Sequence, residues 1–229
     1  QGEKLKVCFI LPEVAGDTAT HFLHKKEMME ALKDEVDFLV IQPTFAGIAK
    51  IKLAYFFQGY RIFYAHYSFK GALVAIVLTK LFGGTVYYWN CGMPWLYTRG
   101  LLEETVCRFI LRHSVFVTGT EGLAAEYAMR YGIENPIRVV SNALDVSRFQ
   151  KISKEDAKKD LGIAEDKKVV LFLHHLSKRK GADLLPEIIK EFVSKDDVLF
   201  LIVGGGPEKR NLEFRFQNLG IGNVQLKGS

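Results

Sequence analysis

Short apolar segments alternate with amphipathic segments along most of the chain. Five of the apolar segments end in glycine, proline or polar residues, as buried strands do. They are KVCFILP (6–12), DFLVIQP (37–43), RIFYAHY (61–67), TVYYWN (85–90) and SVFVTGT (114–120), and PIRVVSNALDVSRF adds a sixth strand and a turn. This alternation is typical of parallel sheets with crossover helices. We therefore predict an α/β protein.

Two of the segments between strands carry clear helix signals. From Thr20 to Leu32, apolar residues recur near helical spacing, and Thr18 or Thr20 is placed to cap the helix. GLAAEYAMRYG follows Thr120, a capping residue, and ends at Gly132, a stop signal. We predict a helix at both places.

A charged stretch, KISKEDAKKDLGIAEDKK, separates two sets of strands and helices. After it come the strands VVLFLHH, VLFLIVGGG and NVQLKG and the helices ADLLPEIIKEFV and PEKRNLEFRFQNLG. We predict two Rossmann-like domains, residues 1–149 and 150–229. So small a second sheet leaves its apolar faces and edges poorly covered, so we expect this domain to be incomplete in the chain.

Composition narrows the class of protein. The 229 residues are 48% hydrophobic, which excludes a disordered chain. The most apolar run, LVAIVL at 73–78, is far shorter than the ~20 residues of a membrane span. The three cysteines have no paired spacing and lie in or near apolar runs. We expect them to be reduced and the protein to be cytoplasmic.

The net charge of +5 is unevenly distributed. Residues 38–102 contain no Asp or Glu, but six Lys or Arg among sixteen aromatic residues. A mixture of this kind suits a protein surface that binds peripherally to an anionic membrane. It would also suit binding to single-stranded nucleic acid. The alternative is that the aromatic residues fill the core and the lysines are solvated.

The strand VVLFL ends in HHLSKRKG, so a buried strand would deliver positive charge to its carboxyl end, where open parallel sheets bind ligands. Metal, nucleic acid and diphosphate are the candidates. Adjacent histidines on a strand point to opposite faces and no acidic cluster accompanies them, which disfavours metal. Lys180 directly precedes Gly181 at the expected start of a helix, so its ammonium and several backbone N–H groups would point to one spot. This arrangement favours phosphate. A solvated basic turn is the alternative reading.

Two further strand ends carry candidate chemistry. GGGPEK (204–209) is a glycine-rich turn, although three glycines also suit a tight turn, and it matches neither a P-loop nor a dinucleotide fingerprint. His66 ends the strand RIFYAH, where it is either a buried core histidine or a polar group facing a cleft. The chain has no Ser-His-Asp spacing, zinc signature or Asp-x-Asp pair. The motifs typical of hydrolases and metal-dependent transferases are therefore missing, which disfavours both classes.

Four segments together resemble the retaining glycosyltransferases of family 4, which have the GT-B fold. VVSNALDVSRF (139–149) is similar to the family's domain junction at Asn142, Asp145 and Phe149. LFLHHLSKRKGADLL, LIVGGGPEKRNLE and NVQLKG resemble its Lys-Gly segment, its Gly-Pro-Glu segment and the strand that follows. The resemblance implies transfer of a sugar from a nucleotide-diphosphate sugar to an acceptor glycan or lipid-linked sugar, with no metal or other cofactor and no nucleic acid partner.

The resemblance also implies roles for individual residues. Lys180 would neutralise the donor diphosphate, and His66 would lie near the reacting sugar. The remaining residues implied in donor binding are Gly16, His175, Arg179, Gly204, Gly205, Gly206 and Gly228. Thr120 and Glu121 occupy the place of a frequent Ser-Glu pair.

Two departures from the family keep alternatives open. His175 stands where the family has an arginine beside the diphosphate, and Arg179 is the candidate substitute. The family's Glu-x(7)-Glu segment is expected after Ser229. A non-catalytic nucleotide-sugar binding module and a nucleotide-sugar epimerase are the main rivals, and an RNA-binding protein lacks any recognisable RNA module.

Overall fold

The computed structural model describes residues 3–12, 23–141 and 146–228. The chain divides into two compact units, Gln1–Val146 and Ser147–Ser229. Gly16, Asn142 and Asp145, which the sequence singled out, lie outside the described residues, as do Thr18 and Thr20.

The first unit is a parallel sheet with helices on its faces. Its strands are β1 (Leu5–Ile10), β2 (Val36–Ile41), β3 (Ile62–His66), β4 (Thr85–Trp89), β5 (Val115–Thr118) and β6 (Arg138–Val139), in the order β2-β1-β3-β4-β5-β6. Its helices are α1 (Leu23–Ala31), α2 (Phe45–Phe57), α3 (Phe69–Phe82), α4 (Leu101–His113) and α5 (Glu121–Tyr131). The predicted α/β fold with parallel strands is confirmed.

The strand order decides which face each helix covers. Crossovers between parallel strands are right-handed, and the step from β1 to β2 runs opposite to all later steps. Helices α2 to α5 therefore share one face, where Ile51, Ile76 and Ile110 pack with Phe63 of the sheet. Helix α1 lies on the other face, where Lys25 and Met28 help to line a cavity of about 860 Å³ over the strands.

The second unit contains a smaller parallel sheet. Its elements are α6 (Lys154–Leu161), β7 (Lys168–Leu173), α7 (Leu185–Lys190), β8 (Val198–Val203), α8 (Lys209–Asn218) and β9 (Val224–Lys227), and the strand order is β7-β8-β9. Leu176, Ile189, Ile202 and Phe216 form the centre of its core. The predicted set of strands and helices is confirmed.

Strand β7 is exposed, although its composition suits a buried strand. Leu171 and Leu173 are 56% and 67% exposed, because β7 lies at an edge of the described sheet and pairs only with β8. The expectation that this small sheet leaves apolar faces and an edge uncovered is confirmed, whereas full burial of VVLFL is not observed.

Several helices differ from the pattern-based assignments. Helices α2 and α3 are apolar on nearly every side, so their sequences show no clear 3.6-residue period. The pattern therefore does not predict them as helices. Helix α4 was not predicted either, although Glu103 and Glu104 in its first turn and Arg112 in its last turn were usable signals. Within the described chain, every helix is too short or too polar to cross a bilayer.

Candidate functional site

The first unit has a change of direction in its strand order between β1 and β3. In open parallel sheets, ligands bind outside the carboxyl ends of the strands at such a point. His66 is the last residue of β3, and Ala65 before it pairs with Ile10 at the end of β1. The structure therefore places His66 where this fold binds ligands.

His66 is held by aromatic side chains. It is 1% exposed and stacks on Trp89, with ring centroids 4.3 Å apart and an interplanar angle of 18°. The ring of Phe9 lies 6.0 Å away and that of Tyr67 5.2 Å away. Stacking on rings that are themselves buried fixes the plane of the imidazole.

The chain turns sharply directly after His66. Tyr67 has a φ of 55°, which is uncommon for a bulky residue, and its backbone N–H donates to the carbonyl of Trp89 at 3.0 Å. Ser68 then caps α3 by accepting from the N–H of Gly71. A Cβ at Gly71 would lie 2.4 Å from Cγ2 of Ile10, so only glycine allows α3 to begin this close to β1.

Lys25 lies against Trp89, on which this histidine stacks, and Cys91 lies near Lys25; sequence reasoning missed both. The ammonium of Lys25 is 4.9 Å from the centre of the Trp89 ring, and the residue is only 8% exposed. Burial lowers the pKa of Lys25, while the nearby Cys91 raises it. Burial raises the pKa of the Cys91 thiol. In sequence, Lys25 looks like any lysine of an amphipathic helix, so no local signal could have found it.

Thr120 and Glu121 follow β5 at the same edge of the sheet. The hydroxyl of Thr120 accepts from the N–H of Leu123 at 3.2 Å, so the predicted cap of α5 is confirmed, as is the stop at Gly132, which is left-handed. Glu121 begins the helix and is exposed.

In the second unit, the loop after β7 and the glycine-rich loop after β8 are joined through their backbones. The N–H of Leu176 donates to the carbonyl of Gly205 at 2.8 Å, and the N–H of Glu208 donates to the carbonyl of Leu176 at 3.0 Å. The N–H of Gly204 donates to the carbonyl of Lys227, next to Gly228. Three strand ends are thus fixed to one another at the carboxyl edge.

The close contact between these two loops explains two of the three glycines. A Cβ at Gly204 would lie 2.0 Å from the carbonyl oxygen of His174, and one at Gly206 would lie 2.4 Å from that of Leu176. Both glycines also have positive φ values, 143° and 152°. Packing between the loops therefore requires glycine here.

The basic residues form a tight turn rather than the start of a helix. Lys178–Lys180 is one 3-10 turn, Gly181 is left-handed with a φ of 74°, and α7 begins only at Leu185. The helix was expected to start directly after Gly181, and helical structure does begin there, as a 3-10 turn at Ala182–Leu184 that leads into α7. Lys180 is half-buried, whereas Arg179 is exposed.

Positive charge converges beside the two histidines. Partial loss of hydration and the charges of Lys180, Arg179 and His175 lower the pKa of His174. The ring nitrogen Nδ1 of His174 accepts from the N–H of His175 at 2.7 Å. The structure thus brings His175, Arg179, Lys180 and the glycine loop to the same edge of one sheet, with Gly228 at the end of β9.

Glu208 is a further polar group that the sequence did not single out for this site. It is 8% exposed and occupies the position before α8 without a capping hydrogen bond from its side chain, which accepts from Nδ2 of Asn211 at 2.8 Å. Helix α8 therefore begins at Lys209, later than the Pro207 start that the sequence suggested.

A comparison with known protein families finds a match for the part of the chain that carries these two loops. Residues 153–229 match the family model for glycosyl transferases group 1. The match includes the turn with Lys180 and the glycine loop, whereas His66 lies outside it. No curated protein sequence matches the chain significantly.

Solved structures extend the similarity to the whole chain. HepE of Anabaena, in complex with UDP, has a TM-score of 0.76 at 16% identity, over 98% of this chain and 69% of its own. A glycosyltransferase of Rickettsia africae has a TM-score of 0.71 at 13% identity, over 100% and 69%. WaaG, a glycosyltransferase involved in lipopolysaccharide biosynthesis, has a TM-score of 0.61 at 17% identity, over 97% and 70%. The chain thus has the α/β fold with parallel sheets of GT-B glycosyltransferase structures.

Proposed function

We propose that the protein is a retaining glycosyltransferase of the family 4 type, which transfers a hexosyl group from a nucleotide-diphosphate sugar to an acceptor without a metal ion. The observation that carries the proposal is the position of the Lys180 turn. It lies at the carboxyl edge of a parallel sheet, hydrogen-bonded through Leu176 to a glycine loop, within the segment that matches glycosyl transferases group 1.

The chemistry requires positive charge at this position. A departing nucleoside diphosphate develops negative charge, and fixed cations or N–H groups aimed at it lower the barrier. In this proposal Lys180 is the principal cation, and Arg179 and His175 add hydrogen-bond donors. Gly205 and Gly228 leave room for the donor to approach the backbone of the strand ends, while Gly204 and Gly206 keep the two loops packed against each other.

The first unit would supply the acceptor side. His66 would contact the reacting sugar through its ring nitrogens, while the stack on Trp89 fixes the ring. Gly16 lies outside the described residues, so its role in donor binding stays a prediction from the sequence resemblance.

UDP-glucose is the first donor to test. HepE has been crystallised with UDP, with UDP and glucose, and with UDP-glucose. We extend this chemistry to the present chain as part of the proposal. A calorimetric panel of UDP, GDP and ADP sugars should give micromolar binding for one nucleotide, a common strength for an enzyme substrate. No binding by any of them would refute the proposal.

The acceptor is proposed to be a glycan or a lipid-linked sugar, with the protein peripheral on the cytoplasmic face of a membrane. The acid-free segment supports this, because several of its apolar side chains face solvent, among them Phe45, Phe57 and Leu81. A soluble sugar acceptor would show as transfer without vesicles.

Product analysis separates the proposal from its rivals. A retaining transferase consumes donor only with an acceptor and forms a product with the same anomeric configuration as the donor, which NMR of the product identifies. An epimerase would need no acceptor: it would convert the nucleotide sugar into its epimer or, if it also hydrolyses with water, release free sugar and nucleotide. A binding module would hold the nucleotide sugar and consume none.

A further inference from the structure

A cationic cavity lies at the amino edge of the first sheet, opposite the edge that carries His66. Its volume is about 540 Å³, and it lies where α3 and α4 end and β4, β5 and β6 begin. Lys80, Arg112, His113 and Arg138 supply its charged or titratable side chains, and the described residues that line it include no Asp or Glu.

The cations of this cavity have no acidic ion-pair partner among the described residues, although Arg138 also lines the larger cavity over the sheet, which Glu121 lines too. Within the described residues, Lys80, Arg112 and Arg138 form no ion pair within 4 Å, whereas Arg108 and Arg130 pair with Glu104 and Glu126. Glu134 lines a smaller neighbouring cavity that shares Arg112, without pairing with it. Surplus charge of this kind attracts an anion.

Two observations support the convergence of these charges. Partial burial, Lys80 and Arg112 all lower the pKa of His113, so both cations act on one point. Lys80 and Arg112 also lie in the last turns of α3 and α4, where helix dipoles stabilise cations. Arg138 lies on β6, where no helix ends, so the dipoles do not explain its presence.

Exposed apolar side chains adjoin the cavity. Leu81 and Phe82 stand between Lys80 and Gly84, which both line it, and they are 68% and 58% exposed. The ring of Phe56 lies 5.3 Å from that of Phe82, and Phe57 beside it is 80% exposed. Solvent-facing phenylalanines next to unpaired cations are the combination that peripheral membrane surfaces use.

We propose that this amino edge docks on an anionic membrane, with the cavity holding the phosphate of a phospholipid headgroup and Phe57, Leu81 and Phe82 entering the interface. A soluble phosphate compound would use the cations and leave these apolar side chains without a role. Nucleic acid would also use the cations, but the aliphatic Leu81 offers a base no stacking surface. The docking itself does not depend on the proposed function. Only its purpose, access to a lipid-linked acceptor, rests on that proposal.

The geometry also gives an orientation. Helix α2 presents Phe45, Leu53 and Phe57 to solvent along one side, over about 18 Å of helix axis. Phe57, at the end of α2 that leads into the start of β3, is the member of this stripe at the amino edge, so docking of this edge brings that end of the helix to the membrane.

The test compares vesicles of phosphatidylcholine with vesicles that also contain phosphatidic acid, by flotation of the complete protein. Arg112→Gln with Arg138→Gln should weaken binding to the anionic vesicles by about 30-fold, since each basic residue near a membrane contributes roughly fivefold. Lys154→Gln with Lys159→Gln removes the same charge from exposed positions of α6 and should change binding less than about threefold. Leu81→Ser with Phe57→Ser should weaken binding while leaving the charge unchanged.

Several outcomes would overturn the inference. They are equal binding to neutral and anionic vesicles, equal losses in the two charge variants, and full retention of binding by Leu81→Ser with Phe57→Ser. Equal competition by inorganic phosphate and by soluble glycerol 3-phosphate, with no effect of the apolar changes, would indicate a free-phosphate site instead. If the double arginine variant has a lower melting temperature, vesicle binding of the single variant Arg138→Gln, whose side chain is exposed, is the test. Its binding to anionic vesicles should fall about fivefold.

Binding of UDP-sugar in solution is measured for every variant in parallel. That measurement tests the proposed function and is expected to be unchanged, because all substituted residues lie outside the donor site. Loss of vesicle binding with intact donor binding therefore bears on the lipid site alone.

Discussion

Gly204 lies against the backbone carbonyl of His174, so closely that a Cβ on Gly204 would be 2.0 Å from that oxygen. The glycine loop and the basic loop of the second unit are thereby one packed structure. Any displacement of the glycine loop must move the chain that leads to Lys180. Gly204 therefore helps to determine where the basic side chains of the neighbouring loop lie.

Gly204→Ala should destabilise this unit and weaken nucleotide binding together. Overpacking costs about 1–3 kcal/mol, and the φ of 143° adds backbone strain of a similar order. Chemical unfolding and UDP calorimetry measure the two effects. Gly222→Ala is the matched control, because its Cβ would meet open space and its φ is not in the left-handed region. Equal stability of the two variants would contradict the packing role.

Lys180→Ala should lower turnover strongly, since it removes a fixed cation from the proposed leaving group. Loss of one preorganised donor costs on the order of 2–4 kcal/mol of barrier, or about 30- to 1000-fold in rate. Steady-state kinetics with the donor found in the nucleotide panel provide the measurement. Lys190→Ala, an exposed lysine in the last turn of α7, is the control and should keep its activity within about twofold. Wild-type turnover in Lys180→Ala would remove this residue from the mechanism.

His66→Phe should separate the imidazole from its packing. Phenylalanine keeps an aromatic ring against Trp89 but cannot hydrogen-bond a sugar, so we expect kcat to fall about 10- to 100-fold with little change in donor affinity. His66→Asn retains polarity and loses the stack, so its main effect should be on the melting temperature. If His66→Phe remains fully active, the histidine acts only through packing.

Tyr67 offers a test of the sharp turn after β3. At its φ of 55°, glycine costs nothing, whereas alanine is strained by about 1–2 kcal/mol. Tyr67→Gly should therefore unfold at higher denaturant than Tyr67→Ala, the reverse of the order found in helices and strands. Both variants lose the same contact with the Trp89 ring, so the comparison isolates the backbone. The usual order, alanine above glycine, would show that the turn relaxes.

The free cysteines provide a check on the core. Burial raises the pKa of the Cys8 thiol to about 12, and Cys107 is buried too, so neither should react with a maleimide in the folded protein. Cys91 is half-buried and should be modified first, as mass spectrometry of peptides would show. Faster modification of Cys8 than of Cys91 would contradict the packing of β1.

Features with a local cause could be predicted from the sequence. The strands are recognisable because apolar runs between turn residues have few other uses, and α5 is recognisable because Thr120 and Gly132 satisfy backbone groups within a few residues of themselves. The turn with Lys180 could be predicted too, because its basic residues separate an apolar strand from a helix.

Features with a distant cause could not be predicted in this way. Lys25 lies against Trp89, Gly204 against His174, and Arg138 beside Lys80 only because strand order and register bring those residues together. Strand β7 is exposed because of its place at the sheet edge, which its own residues do not encode. The sequence by itself determined which segments become strands, helices and turns, since burial and capping act over a few residues. Which charges share a site was decided by the tertiary structure, because electrostatic and packing interactions depend on distance in space rather than along the chain.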